Sequence, residues 1–346
     1  MIAAVKSTVR QTVAWAGYRS GASTMRQRGK ITVLTYHRVL SEDDQARGLV
    51  QPGMYVGTPV FDMHVKFLKA HYDVIGLNDL IEVWKKGNAR SHDRYCVITF
   101  DDGWLDGYTN AYPILTHHRV PATMFLPTSY IGTRGWFWTD RLAHVLGRRG
   151  VAALLQDGGR DAADLLKAYP SIQGEITRLG RAGGDAHDAL ESLIGRLKAE
   201  SPERIERFIE GWYASIGEPP PDERLFVNWE EVREMADHGI RFGSHSATHR
   251  ILTTISVDEV RNELSTSLSV LREKTSHWVP VFCYPNGSSN PDISAMVGEA
   301  GYDYAVGGAG LESTVPRDPF HIRRIGVHQD IARTASLFSW RLLGFR

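Results

Sequence analysis

The sequence predicts an α/β fold, a distorted or incomplete barrel of about seven β/α units that carries a helical insertion. Two observations lead to it. Short β-branched runs alternate with amphipathic stretches from residue 31 to about 126, and again from about 229 to 327, which is the rhythm of parallel β/α units. Between these halves, residues 139–228 show helical periodicity, Gly-rich breaks and a Pro219-Pro-Pro221 stop, without a convincing strand.

Element by element, Ile31 to Tyr36 reads as a strand and residues 41–58 as a Gly- and polar-rich loop with a turn at Gln51-Pro-Gly53. Phe61, Val65 and Leu68 predict a helix, Tyr72 to Ile75 a short strand, and Leu77 to Trp84 a second helix. Cys96 to Phe100 is a buried strand, followed by a helix over 106–117 and a strand from Ala122 to Leu126. In the insertion the helical stretches are Asp140–Leu146, Ala186–Lys198 and Pro202–Ile216. A lid or substrate wall is one use for it; a packing elaboration is the other, since long insertions on loops are thermodynamically cheap.

The second half opens at Asn228, a helix cap with Glu231 at the third position, and Trp229, Val232 and Met235 form the apolar face. Ile240 to Gly243 is the next strand. Ser256 with Glu259 repeats the cap ahead of Val260, Leu264, Leu268 and Leu271. A strand from Val279 to Tyr284, a turn at Pro285-Asn-Gly287, a helix over 290–299, and strands at Tyr304–Val306 and Ile322–Val327 complete the series. The divisions are therefore 1–30, 31–138, 139–228, 229–330 and 331–346.

Lys+Arg and Asp+Glu are both 40 in a chain of 346 residues, so a general nucleic-acid binder is not expected. The two cysteines, Cys96 and Cys283, lie in apolar runs and read as buried free thiols in a reducing compartment. Segment 1–30 is basic without an acid, and charge interrupts its apolar residues too early for a signal-peptide core or a spanning helix. After Asp330 the chain is again acid-free, with Arg333, Arg341 and Arg346 among Leu337, Trp340 and Leu343. Both ends read as basic amphipathic segments that either cover the barrel or rest on an anionic membrane. The expected location is cytoplasmic, at most peripheral to the inner face of the membrane.

The chemistry-bearing residues stand at strand ends: Asp101 and Asp102, His245, Asn286 and His328. That is where barrels collect their active sites. Asp101 and Asp102 diverge from an extended backbone, so one can ligate a metal while the other acts as base. His245 and His249 lie one helical turn apart if their segment is helical. Two histidines and a carboxylate form a recurrent ligand set with open positions. Zn2+ is the first choice, and Fe2+, Co2+ or Ni2+ also suit N/O donors.

Thr99-Phe-Asp-Asp-Gly103 and His245-Ser-Ala-Thr-His249 resemble, in that order, the first two motifs of the polysaccharide deacetylase family. Its catalytic part is the NodB homology domain, carbohydrate esterase family 4. The likeness covers about residues 30–330. It implies a distorted (β/α)7 barrel removing N-acetyl groups from amino sugars, with Asp101 as base and Asp102, His245 and His249 as ligands of one divalent metal ion. Tyr36-His-Arg38 and Phe282-Cys-Tyr-Pro-Asn-Gly287 resemble a subgroup associated with bacterial exopolysaccharide, capsule or O-antigen synthesis.

Three features depart from the family. Its third motif reads Arg-Pro-Pro-Tyr-Gly or close to it, whereas Cys283 to Gly287 stand here, and the arginine that steadies the base is missing. Arg324 is the candidate substitute, with Arg323 on the opposite side of the same strand. The oxyanion donor falls to the backbone N–H of Asn286. For the general acid, His328 sits about where the late motif belongs, and His37, which also ends a strand, is its rival. The implied partner is an amino-sugar-containing glycan or its activated precursor. Competing readings are an N-acyl or N-formyl deacylase of a nucleotide- or lipid-linked sugar, and a non-catalytic carbohydrate-binding protein on the same barrel.

Overall fold

Seven parallel strands close on themselves in this structure, a computed structural model that describes Ala14 and residues 29–344 except Pro52, Ser91, 157–158, 183–185, Glu218 and Pro220. The strands are β1 (Lys30–Tyr36), β2 (Arg38–Leu40), β3 (Tyr55–Gly57), β4 (Asp73–Val74), β5 (Tyr95–Phe100) and β6 (Ala122–Leu126). They continue with β7 (Ile240–Ser244), β8 (Trp278–Cys283), β9 (Tyr304–Ala309), β10 (Glu312–Ser313) and β11 (Ile322–Gly326). The ring runs β1-β11-β9-β8-β7-β6-β5 and is shut by β1 on β5, with Thr32 opposite Cys96 and Tyr36 opposite Phe100. β4 pairs with the start of β5, β10 lies antiparallel on the start of β1, and β2 and β3 form a separate parallel pair.

The strands are apolar on both faces, as a layer between helices and a barrel interior requires. Along β8, Val279, Val281 and Cys283 join one apolar cluster with Val33, Val97 and Phe125. The intervening Phe282 joins another, with Leu264 and Leu268 of the helix Val257–Lys274. Gly243 of β7 makes room for this packing. A Cβ there would stand 2.5 Å from the ring of Phe125, so a side chain at this position and Phe125 exclude each other. Helices 229–237 and 257–274 both begin with reciprocal capping boxes, Asn228 with Glu231 and Ser256 with Glu259.

The described residues fall into two compact units, one within Met1–Leu40, Tyr55–Thr133 and Phe226–Arg346 and the other within Ser41–Met54 and Arg134–Leu225. The second unit is helical, with helices at Glu42–Arg47, Trp138–Gln156, Gly159–Lys167, Pro170–Ala182, Ala186–Leu197 and Pro202–Ile216. Its core is built by Leu142, Ile172, Leu193, Phe208 and Trp212. Phe137 is buried, Trp138 packs on that core, and the Trp136 indole donates to the Glu223 carbonyl at 2.8 Å.

The stretch 41–58, expected as a loop, is partly regular. Ser41 caps the helix Glu42–Arg47 in a box with Asp44, Leu49 packs against the helical core, and 55–57 form β3. Three acids at the helix start favour that helix through its dipole, a signal that sparse apolar spacing conceals. Segment 41–54 therefore belongs with the helical unit.

At the other end, Leu337, Phe338, Leu342 and Leu343 are buried. The Phe338 ring stacks on His64 at 3.8 Å, and Arg341 Nε donates to the Gly326 carbonyl at 2.8 Å. The apolar stripe of the C-terminal helix thus faces the barrel unit. The basic N-terminal segment 1–30 lies outside the described residues apart from Ala14, Gly29 and Lys30. Among the described residues no helix is long and apolar enough to cross a membrane. Cys96 and Cys283 are both buried free thiols.

Candidate active site

Backbone strain marks the site before its side chains are considered. Five described non-glycine residues have positive φ, and four of them (Asp102, Ser246, His249 and Asn286) stand just past the C-terminal ends of β5, β7 and β8. The fifth, Arg119, is an ordinary left-handed helix cap. Such conformations cost on the order of 1–3 kcal/mol each and persist where surrounding structure over-determines them. Segment 245–249 is consequently a loop and not the helical turn that its i, i+4 spacing suggested. Glu263, buried on helix 257–274, fastens it by accepting from the Ala247 and Thr248 amides at 2.9 and 2.8 Å and from the Thr248 hydroxyl.

The two aspartates face different partners. Asp101 is 4% exposed, and its carboxylate is held by two parallel bonds from Arg324, both 2.7 Å. Arg324 Nη1 also reaches the Thr99 hydroxyl at 3.1 Å, and Nη2 the Cys283 thiol at 3.1 Å. Burial would push the Asp101 carboxyl up, but the Arg324 charge and hydrogen bonds outweigh it and hold the group at about 2. Arg323, one residue away, turns to Glu312, its Nη2 3.4 Å from the carboxylate and its amide donating at 3.0 Å.

Asp102 sends Oδ1 toward both histidines, 3.2 Å from His245 Nε2 and 3.2 Å from His249 Nε2. Its Oδ2 accepts from the Trp104 indole at 3.0 Å. Burial opposes ionisation here too, and hydrogen bonds from the two histidines keep the carboxyl well below the usual carboxylate range. His245 Nδ1 lies 2.8 Å from the Cys283 carbonyl. A carbonyl only accepts, so Nδ1 carries a proton and Nε2 is the nitrogen turned on Asp102 Oδ1, donating to it when the ring is charged and open to a cation when it is neutral. Two such atoms need a positive charge between them, either a proton on Nε2 or a metal ion.

That donor set fits a divalent ion. One carboxylate oxygen and two imidazole nitrogens lie within 4.8 Å of one another, with His245 oriented by a backbone carbonyl as metal-bound histidines are. Asp101, His245 and Cys283 also meet the distance criterion. They suit a metal less well, because Arg324 occupies both Asp101 oxygens and burial raises the Cys283 thiol.

The remaining candidates divide. His37, directly after β1, places Nε2 4.0 Å from Asp101 Oδ2. His328, just past β11, places Nδ1 3.3 Å from Asp330 Oδ2. Asn286 follows Pro285 in the left-handed region, its side-chain amide donating to the Ser288 hydroxyl at 3.1 Å. The Cys283 carbonyl, Glu263 and Trp104 are parts of the site that the sequence reading missed. A backbone carbonyl leaves no mark in a sequence, and Glu263 reads there as one more polar residue of an amphipathic helix.

Similarity to known proteins agrees with this geometry. The sequence profile described as polysaccharide deacetylase matches residues 88–169 and 194–305, more than half of the chain. A poly-beta-1,6-N-acetyl-D-glucosamine N-deacetylase of Staphylococcus aureus is 33% identical over 84 residues, 24% of this chain and 28% of that protein. The match thus spans less than a third of that curated relative. Among solved structures, the de-N-acetylase from Aggregatibacter actinomycetemcomitans superposes with a TM-score of 0.56 at 14% identity, covering 90% of this chain and 99% of the other. IcaB from Ammonifex degensii gives 0.54 at 15%, covering 90% and 97%. The Streptococcus pyogenes deacetylase PplD, solved in complex with acetate, gives 0.53 at 16%, covering 88% and 95%. At such identities these structures share the fold. With the profile match spanning both halves of the barrel, the chain belongs to the polysaccharide deacetylase family.

Proposed function

We propose that this chain is a metal-dependent N-deacetylase that hydrolyses the N-acetyl amide of an amino sugar in a bacterial polysaccharide or its precursor. The observation that carries the reading is the convergence of three ligand-type atoms past the ends of β5 and β7, with His245 Nε2 and His249 Nε2 each 3.2 Å from Asp102 Oδ1. The names of the relatives support an N-acetylglucosamine polymer as the first substrate class to test. Asp102, His245 and His249 would hold the ion, with Zn2+ the first choice and Fe2+, Co2+ or Ni2+ compatible with the donors.

When bound there, a divalent ion supplies Lewis acidity, making water more acidic and polarising the acyl carbonyl. The chain's own residues do the rest. Asp101 takes a proton from the attacking water. A carboxylate held at about 2 is a weak base, so Arg324 keeps it ionised and aimed rather than basic. The Asn286 backbone N–H faces the developing oxyanion. His37, 4.0 Å from Asp101, is better placed than His328 to protonate the departing amine, and acetate and a free amine leave.

Acetate release from a β-1,6-linked N-acetylglucosamine oligomer, measured with metal-stripped protein and after Zn2+ or Co2+ is restored, tests the reading. Activity should return with metal in the wild type, and His249→Ala should bind less metal per chain and stay inactive. Equal metal stoichiometry in His249→Ala sinks the ligand assignment. The acid is separable in the same assay. His37→Ala should lower turnover by about 10²–10⁴-fold and His328→Ala by less than about tenfold, and the reverse order would transfer the role to His328.

A further inference from the structure

We propose that Trp104 is a positioning residue that makes Asp102 a one-oxygen ligand, and that Arg38 acts through it. The inference rests on the metal reading above and deepens it. A carboxylate offers two oxygens to a cation, and here they are assigned to different tasks. Oδ1 meets both histidine nitrogens, while Oδ2 is taken by the Trp104 indole N–H at 3.0 Å. Asp102 and Trp104 are both about 3% exposed, so water does not readily substitute for the indole.

Trp104 is itself held. Its ring stacks on Phe226 at 4.9 Å, its backbone pairs with Phe226, and the Arg38 guanidinium lies 4.6 Å from the ring centroid. Arg38 Nε donates to Asp106 Oδ2 at 2.8 Å, and Asp106 Oδ1 accepts the Val39 amide at 2.8 Å. A polar chain therefore runs from the segment after β1, through Arg38 and Trp104, to the carboxylate after β5. With Oδ2 withdrawn from the ion, Asp102 spends one coordination position instead of two, leaving one more for water or the acyl oxygen. Partners that orient a ligand in this way are worth about 10–100-fold in metal affinity.

Trp104→Phe removes the N–H and keeps an aromatic ring against Phe226. We expect the Zn2+ dissociation constant, measured by competition with a chromophoric chelator, to rise about 10–100-fold. We also expect the visible absorption of the Co2+-substituted protein to weaken as Oδ2 turns onto the ion and coordination increases. Arg38→Met, which keeps the packing stem and removes the cation, should weaken Zn2+ binding several-fold in the wild-type background. It should add no further loss in Trp104→Phe, since the two act in series. A folded Trp104→Phe with wild-type Zn2+ affinity and Co2+ spectrum overturns the proposal. If that variant does not fold, an unaltered Zn2+ affinity and Co2+ spectrum in Arg38→Met overturns it instead. Absence of Zn2+ binding by the wild type, or binding indifferent to His249→Ala, would remove the metal reading and this inference with it.

Discussion

Asp101→Asn should lower acetate release by on the order of 10³-fold or more, within the span assigned to a positioned general base, while Zn2+ stoichiometry stays at the wild-type value. The two halves of that expectation come from separate contacts. Asp101 faces Arg324 through both oxygens, whereas Asp102 faces the histidines, so the amide removes the base and spares the ligand set. The substitution has a structural cost as well. It leaves the buried Arg324 guanidinium against a neutral partner, and breaking one side of a buried pair typically costs about 3–5 kcal/mol. Turnover must therefore be measured at a temperature where thermal unfolding shows the variant to be folded. Wild-type turnover in a folded Asp101→Asn would remove Asp101 from the reaction.

Arg324→Ala should be comparably damaging to stability, with a pH signature of its own. In the wild type Asp101 titrates at about 2, below the ordinary carboxylate value of about 3.9. Between those values the unfolded chain binds the extra proton, so the stability that Asp101 contributes is present above about pH 4 and lost as pH falls toward 2. Without Arg324, burial prevails and the Asp101 carboxyl rises above its ordinary value. Between the ordinary value and that raised one the folded variant binds the extra proton, so its stability increases as pH falls from the raised value toward about 4. Urea midpoints should show the wild type ahead by about 3–5 kcal/mol near neutral pH, the gap narrowing toward pH 4. The acid limb of the rate profile should move to higher pH in the variant. A gap independent of pH would mean that Arg324 acts by packing, for example on the Phe125 ring 5.6 Å away.

The barrel and the cluster of Asp102, His245 and His249 were legible in the sequence because each leaves a local mark. Strand ends carry polar strings, and the Asp pair and His pair stand directly after apolar runs at β5 and β7. Arg324 was legible by a different route, as a candidate for the missing motif arginine, with strand parity allowing only one of Arg323 and Arg324 to serve. The backbone geometry was not legible. The i, i+4 spacing of His245 and His249 suggests a helix, yet positive φ at Ser246 and His249 brings the rings to 4.9 Å in a loop. That conformation is imposed from outside the segment, by Glu263 on the helix that follows, which local periodicity cannot report. The same holds for Leu49, whose packing on the helical core assigns 41–54 to that unit.

Closure of the ring by β1 has a consequence for how the molecule comes into being. β5, one neighbour of β1, follows it early in the chain, but β11, its other neighbour, is the last strand of the ring to emerge. Until then the barrel keeps two open edges, the state in which β-rich chains associate wrongly. Arg324 rides on that last strand, so Asp101 meets its counter-charge only when the ring shuts. A truncated or misassembled chain would display the aspartates and histidines without their steadying cation, and hydrolytic competence would arise in the same event as the completed fold.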